Sequence, residues 1–281
     1  MKKTAIAILI AVLVVAIGGG LLFAGLSAVN FQIEKLDRTE YVTESYDLTQ
    51  TIETIDIESR TADVDIVPAE GDTGRVICFG NDQEKYTVVV ENGRLIIRPV
   101  EGKKGWSIFS FRFKGPRITV TLPRREYELL SASLDTGDLA VNGLSFTAVN
   151  ATLHTGDADI TGIRAKSVAV QSNTGDMRLS DIAADTADIS VHTGDLKLTG
   201  VVCTGDLRCE STTGDIRLTD VDGANVYLKA STGDITGTIL TDKTFSAHTS
   251  TGDVSVPTGT TGGRCEANTS TGDIKLAISG N

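Results

Sequence analysis

This chain is poor in the residues from which most sites are built. Its 281 residues include four cysteines, three histidines, two methionines, five prolines and a single tryptophan. Four cysteines (Cys78, Cys203, Cys209 and Cys265) are too few to staple a fold of this length, so stability has to come from apolar burial. No His and Cys residues stand at zinc-ligand spacing, and there is neither a G-x-S-x-G elbow nor a phosphate-cradling P-loop. These absences argue against an enzyme and imply no cofactor. Basic charge is short too: 26 Lys and Arg stand against 37 Asp and Glu, a formal net charge of −11. That balance argues against a nucleic-acid partner. Beyond residue 30 no segment sustains a 3.6-residue apolar period, which argues against a helical domain.

What the chain does have is a repeat. Thr-Gly-Asp triplets begin at Thr136, Thr155, Thr174, Thr193, Thr213, Thr232, Thr251 and Thr271, in steps of 19 or 20 residues. A ninth copy, Thr204–Asp206, is out of phase. Counted from each Thr, positions 4 and 6 are apolar in almost every repeat, as in Leu139 and Val141, Leu196 and Leu198, or Ile274 and Leu276. Position 9 carries Leu144, Ile163, Ile182, Val201, Val221 and Leu240, and a second alternating set follows at 14, 16 and 18. Two-residue alternation marks strands with one buried face. A period of this length marks a solenoid, in which one coil cannot bury its face alone but a stack can.

The expected fold is therefore all-β: a parallel β-solenoid with 19–20 residues per coil and two facing sheets. Eight coils at the usual strand spacing would rise about 38 Å. His154 and His192 then lie two coils apart, roughly 10 Å, too far to share a task. Cys209 and Cys265 point into the core three coils apart, too far to pair.

The triplet has a structural reading and a functional one. Structurally, Gly supplies a positive φ in a sharp bend, while Thr and Asp satisfy free backbone groups. Functionally, Asp138, Asp157, Asp176, Asp195, Asp215, Asp234, Asp253 and Asp273 would form a row of carboxylates that could hold calcium. Calcium takes six to eight oxygens, and calcium-binding β-rolls use a denser Gly-Asp pattern. The turn is the favoured reading and the calcium ladder its rival.

The ends of the chain speak to location. Lys2 and Lys3 precede an uncharged apolar run from Thr4 to Val29, long enough to cross a bilayer. The expected order is a cytoplasmic tip (1–3), a transmembrane signal anchor (4–29), a linker (30–44), an irregular β cap (45–134) and the repeat solenoid (135–281). A cleaved signal peptide is the competing reading of the apolar run. The expected location is the cell membrane, single-pass, with the N-terminus cytoplasmic and the β domain extracellular. Inside the cap, 61–70 reads as a degenerate coil, 86–100 as a hairpin about Asn92-Gly93, and 116–123 as a further strand. A basic, aromatic stretch holds Lys103, Lys104, Trp106, Arg112 and Lys114. It is a candidate contact for anionic lipid headgroups or cell-wall polymer; its plain reading is that its phenylalanines belong to the cap's core. At the other end, no helix, Pro or loop follows "DIKLAI" to cover the final coil, which would leave that strand as an open edge. Residues 271–278 are thus the expected site of end-to-end self-association.

An apolar N-terminal run, an "ITVTLP" strand and "(S/T)TGDI-x-(L/V)" at 19–20-residue intervals resemble the bacterial putative-adhesin family of β-strand repeats, a domain-of-unknown-function family. The resemblance covers about residues 45 to 278. It implies a surface-exposed β-solenoid without catalytic residues, acting in adhesion or as an envelope scaffold. Its alternative implication is an accessory, regulatory role in a cell-envelope stress response, exerted through a membrane partner or another envelope protein.

Overall fold

The computed structural model describes residues 41–81, 85–100, 115–259 and 261–279. The expected anchor (4–29) and the basic stretch from Lys103 to Lys114 lie outside these residues. The first strands are β1 (Tyr41–Leu48), β2 (Thr54–Ser59), β3 (Asp63–Pro68), β4 (Gly74–Asn81), β5 (Tyr86–Glu91), β6 (Arg94–Pro99) and β7 (Arg117–Leu122). The repeats follow as β8 (Glu126–Thr136), β9 (Leu139–Asn142), β10 (Ser145–Thr155), β11 (Ala158–Thr161), β12 (Arg164–Thr174) and β13 (Met177–Thr193). The chain continues through β14 (Leu196–Cys203), β15 (Asp206–Thr213), β16 (Ile216–Val221), β17 (Asn225–Thr232) and β18 (Ile235–Ile239). It closes with β19 (Lys243–Thr251), β20 (Val254–Ser255), β21 (Gly263–Thr271) and β22 (Ile274–Ile278). No helix occurs among the described residues, and the fold is the expected all-β solenoid.

Two ladders run the length of the stack. Strands entering each Thr-Gly-Asp bend pair in the order β5–β6–β2–β8–β10–β12–β13–β15–β17–β21–β19. Strands leaving it pair as β1–β4–β7–β3–β9–β11–β13–β14–β16–β18–β22–β20. Pairing is parallel from β6 and β7 onward; β5, β4 and β1 close the N-terminal end antiparallel. The register follows the repeat length, 19 residues from Val149 to Val168 and 20 from Ile189 to Cys209. Alternating residues such as Leu196 and Leu198 turn inward from both ladders and join one core. The hairpin reading of 86–100 holds, with Asn92 and Gly93 at φ 50° and 77°. So does the degenerate coil, since β3 pairs in parallel with β9. The parallel ladders thus reach back through β2, β3, β6 and β7, N-terminal to residue 135.

The coils do not stack in chain order at either end. The β2/β3 coil lies between the β6/β7 coil, which follows it in sequence, and the β8/β9 coil. At the far end the β21/β22 coil is inserted between β17/β18 and β19/β20. The first and last coils of the chain are therefore each gripped from two sides, which restrains ends that would otherwise fray. The last coil enters through a glycine: a Cβ on Gly263 would land on the carbonyl oxygen of Ala224.

Three expectations change as a result. β22 is not an open edge, because it pairs fully with β18 and through Ile274 and Lys275 with β20. Cys265 sits two layers from Cys209, not three, and all four thiols are free. Position 9 of the sixth repeat is filled by Ile239, fully buried, while Leu240 is 41% exposed. The cause is a register irregularity between Leu218 and Val221, after which Val221 aligns with Ile239.

Candidate functional site: the Thr-Gly-Asp edge

The eight triplet aspartates do come together, as one row along an edge of the stack. The Asp157 backbone N–H donates to Asp138 Oδ1 at 2.8 Å, and Asp176 to Asp157, Asp195 to Asp176, Asp215 to Asp195 and Asp234 to Asp215 follow at 2.8–3.0 Å. The inserted coil reorders the end of the row: Asp273 N–H donates to Asp234 at 2.8 Å, and Asp253 N–H to Asp273 at 2.9 Å. Asp63 of the degenerate coil starts the row by accepting from Asp138 N–H at 3.1 Å. Backbone groups run alongside, as where Gly214 N–H donates to Thr232 O and Ile216 N–H to Asp234 O.

The glycine is required twice over. Gly214 has φ +137°, a region L side chains rarely adopt, and a Cβ there would collide with the Gly194 carbonyl in the layer below. The bend is therefore a contact between backbones, repeated layer upon layer.

At Asp157, Asp176, Asp195, Asp215 and Asp273, Oδ1 is engaged by a backbone N–H and the second oxygen faces a cation of the chain. Arg178 bridges Asp157 (3.3 Å) and Asp176 (3.0 Å), and Arg217 bridges Asp195 (2.5 Å) and Asp215 (2.6 Å). Lys275 Nζ lies 2.7 Å from Asp273. Burial works to raise the Asp195 pKa, but the Asp215 N–H and the Arg217 guanidinium together outweigh it and hold it below the usual carboxylate range. The Asp253 N–H, then Lys275, depress that of Asp273. These bases were legible as the residue two places after the triplet Asp in "TGDMR", "TGDIR" and "TGDIK". Among the described residues no cluster of three or more His, Cys, Asp or Glu is arranged to hold a metal.

Elsewhere, the described residues offer little for chemistry. His154 Nδ1 meets Asn173 Nδ2 at 2.8 Å, and Asn173 lies in the layer between His154 and His192. Burial pushes the Cys78 and Cys265 thiols up to about 12 and Cys203 to about 11, so none is a ready thiolate. A cleft of about 380 Å³ near the N-terminal end is lined by residues including Ile52, Arg124, Arg125 and Tyr127. Both of its arginines are committed: Arg125 donates to the Ile52 carbonyl and Arg124 to that of Gly143.

The family model described as Toastrack DUF4097 matches residues 52–281. Among solved structures, the chain is similar to a putative adhesin from Bacteroides fragilis, at 19% identity and a TM-score of 0.54, covering 86% of this chain and 99% of that one. It is also similar to a putative adhesin from Parabacteroides distasonis, at 11% identity and a TM-score of 0.45, covering 86% and 98%. No curated protein matches the chain.

Proposed function

The chain belongs to the Toastrack DUF4097 family, and from that premise we propose that it is a non-catalytic binding protein of the cell envelope, acting in adhesion or as a scaffold. The observation that carries this reading is the state of the polar edge. The row serves the stack itself, through Asp–N–H bonds from layer to layer and through Arg178 and Arg217, each of which bridges two layers. That leaves a rigid rod with rows of like groups at coil spacing, suited to repeated weak contacts with an extended polymer or a surface. The proposed anchor is the apolar run at 4–29, holding the β domain outside the membrane. The proposed contact is the basic, aromatic stretch Lys103, Lys104, Trp106, Arg112 and Lys114, directed at cell-wall polymer or anionic headgroups.

The test has two arms. Fractionation of cells, with protease applied outside, should leave the full chain in the membrane fraction and its β domain accessible. Purified protein should then cosediment with peptidoglycan sacculi or with vesicles rich in anionic lipid, and lose that binding in a Lys103→Glu/Lys104→Glu variant. A chain recovered only in the soluble fraction, or binding that survives the charge reversal, would overturn the corresponding part.

A further inference from the structure

We propose that two copies of this chain join tail to tail through β19, extending the first ladder across a twofold axis. The proposal starts from the reordered end of the stack. Because the last coil is tucked inside, the outermost strand of the first ladder is β19, which among the described residues pairs on one side only, with β21. It is nine residues long, an unpaired row of backbone donors and acceptors that invites another strand.

Natural edges of this kind are guarded by charge, proline or a bulge. β19 carries none of these on its outer face. Thr244, Ser246, His248 and Ser250 point outward, and the strand's one lysine, Lys243, is buried against Asp222. The end of the core beneath is also incompletely closed. Phe245 and Ala247 are only partly buried, Val254 is 45% exposed and Leu240 41%.

The occupant that fits is a second copy. A twofold axis normal to the sheet at Ala247 reverses β19 while keeping its inner face inward, so the first ladder continues from one copy into the other and the partly buried Phe245 and Ala247 are covered. The pairing is self-complementary. Inward, Phe245 meets Thr249 of the second copy; outward, Ser246 meets His248 and Thr244 meets Ser250. No like charges oppose one another. The other end of the stack is less suited to such pairing, since its edge strands carry Glu44 and Asp47 on β1 and Glu91 on β5. An isologous contact of this kind closes at two copies, whereas stacking tail to head would grow without limit.

Sedimentation of the full chain over a wide concentration range should show monomer and dimer and nothing larger. Ser246→Lys/His248→Lys places like charges opposite each other in both copies of the Ser246–His248 pair and should abolish the dimer. Ser246→Glu/His248→Lys places opposite charges there and should restore it. These residues are exposed, so at dilutions where the parent is monomeric the melting curves should match. Independently of those variants, Ala247→Cys should form an intermolecular disulfide on mild oxidation, because its two copies meet on the axis while the native thiols are buried. A monomer at every concentration would overturn the proposal. So would assemblies beyond the dimer, which mean tail-to-head growth, or a dimer indifferent to the charge pattern, which means association through another segment.

Discussion

Lys243 Nζ rests 2.7 Å from Asp222 Oδ1 across a layer to which neither residue belongs. Lys243 begins the outermost strand and pairs in register with Gly263 of the inserted coil, while Asp222 lies at the bend that leads into β17. Gly263 has no side chain to stand between them. The lysine therefore reaches over the inserted coil to the layer behind it, with only 4% of its side chain exposed. Thr241 completes the arrangement, donating to Asp222 Oδ1 at 3.1 Å and accepting from Lys243 Nζ at 2.5 Å.

Lys243→Met should therefore destabilise the protein by about 2–4 kcal/mol, because it strands a largely buried carboxylate. Asp222→Asn should cost less, since an amide oxygen still accepts from Thr241, Gly223 N–H and the ammonium. The two changes combined should fall short of additivity, as expected for partners in one network. Denaturant unfolding measures all three. A Lys243→Met variant as stable as the parent would show that the ammonium is not needed to hold the inserted coil.

At the bends, Gly214→Ala should cost at least about 2 kcal/mol, because the new Cβ needs a disfavoured φ and also meets the Gly194 carbonyl. Gly71→Ala is the control. Nothing lies within 4 Å of the Cβ it would add, so its effect should stay within about 0.5 kcal/mol. In a domain of this size the bend variant should melt at least about 4 °C lower, read by calorimetry.

Acid should weaken the fold in a defined direction. The folded-state pKa values of Asp195, Asp206 and Asp273 lie below the ordinary carboxylate value, through backbone N–H bonds, the Asn225 amide and neighbouring bases. Their stabilisation is present above the unfolded-state value of about 3.9 and is lost as pH falls through the lower folded values. Stability should hold from neutrality to about pH 5 and drop below about pH 4. Asp195→Asn keeps an acceptor for the Asp215 N–H and loses only a half-exposed ion pair, so it should cost under about 1 kcal/mol at neutral pH and shrink the acid drop. A chelator should leave the melting temperature unchanged. A melting temperature that rises with added calcium, with Asp195→Asn abolishing the rise, would instead favour the calcium ladder.

The parts of the fold that periodicity controls were legible in the sequence, and those that depend on neighbour order were not. The columns through Leu196, Leu198 and Ile274 name inward positions because alternation is a property of one strand. They do not say which coil lies beside which: Phe245, Ala247 and Thr249 align as well with Cys265, Ala267 and Thr269 in either stacking order. Signs of the exception are present in the chain. Gly237 interrupts the apolar column at position 6, and the "GTTGG" run at 259–263 is unlike any other inter-repeat stretch. The Asp–N–H row followed from the repeat itself, whereas the Lys243–Asp222 pair depends on the inserted coil and has no counterpart in the period.

The inserted order also determines what a deletion removes. In a solenoid stacked in chain order, cutting away the last coil leaves the one before it still paired with its own predecessor. Here the outermost coil pairs only through the inserted one: β19 with β21, and β20 with β22. A chain ended after residue 259 should therefore lose two layers. Amide hydrogen exchange should show protection lost throughout 243–255, although those residues remain in the chain, while β17 and β18 become the new, partly frayed edge. The rival outcome is that β19 docks directly on β17, the arrangement that chain order alone would suggest. Lys243 would then lie beside the Ala224 layer, with its long side chain compressed against an Asp222 now one layer away. Protection retained over 243–255 in the shortened chain would show that β19 can take that place, and that the insertion is a preference of the whole chain and not of the coil itself.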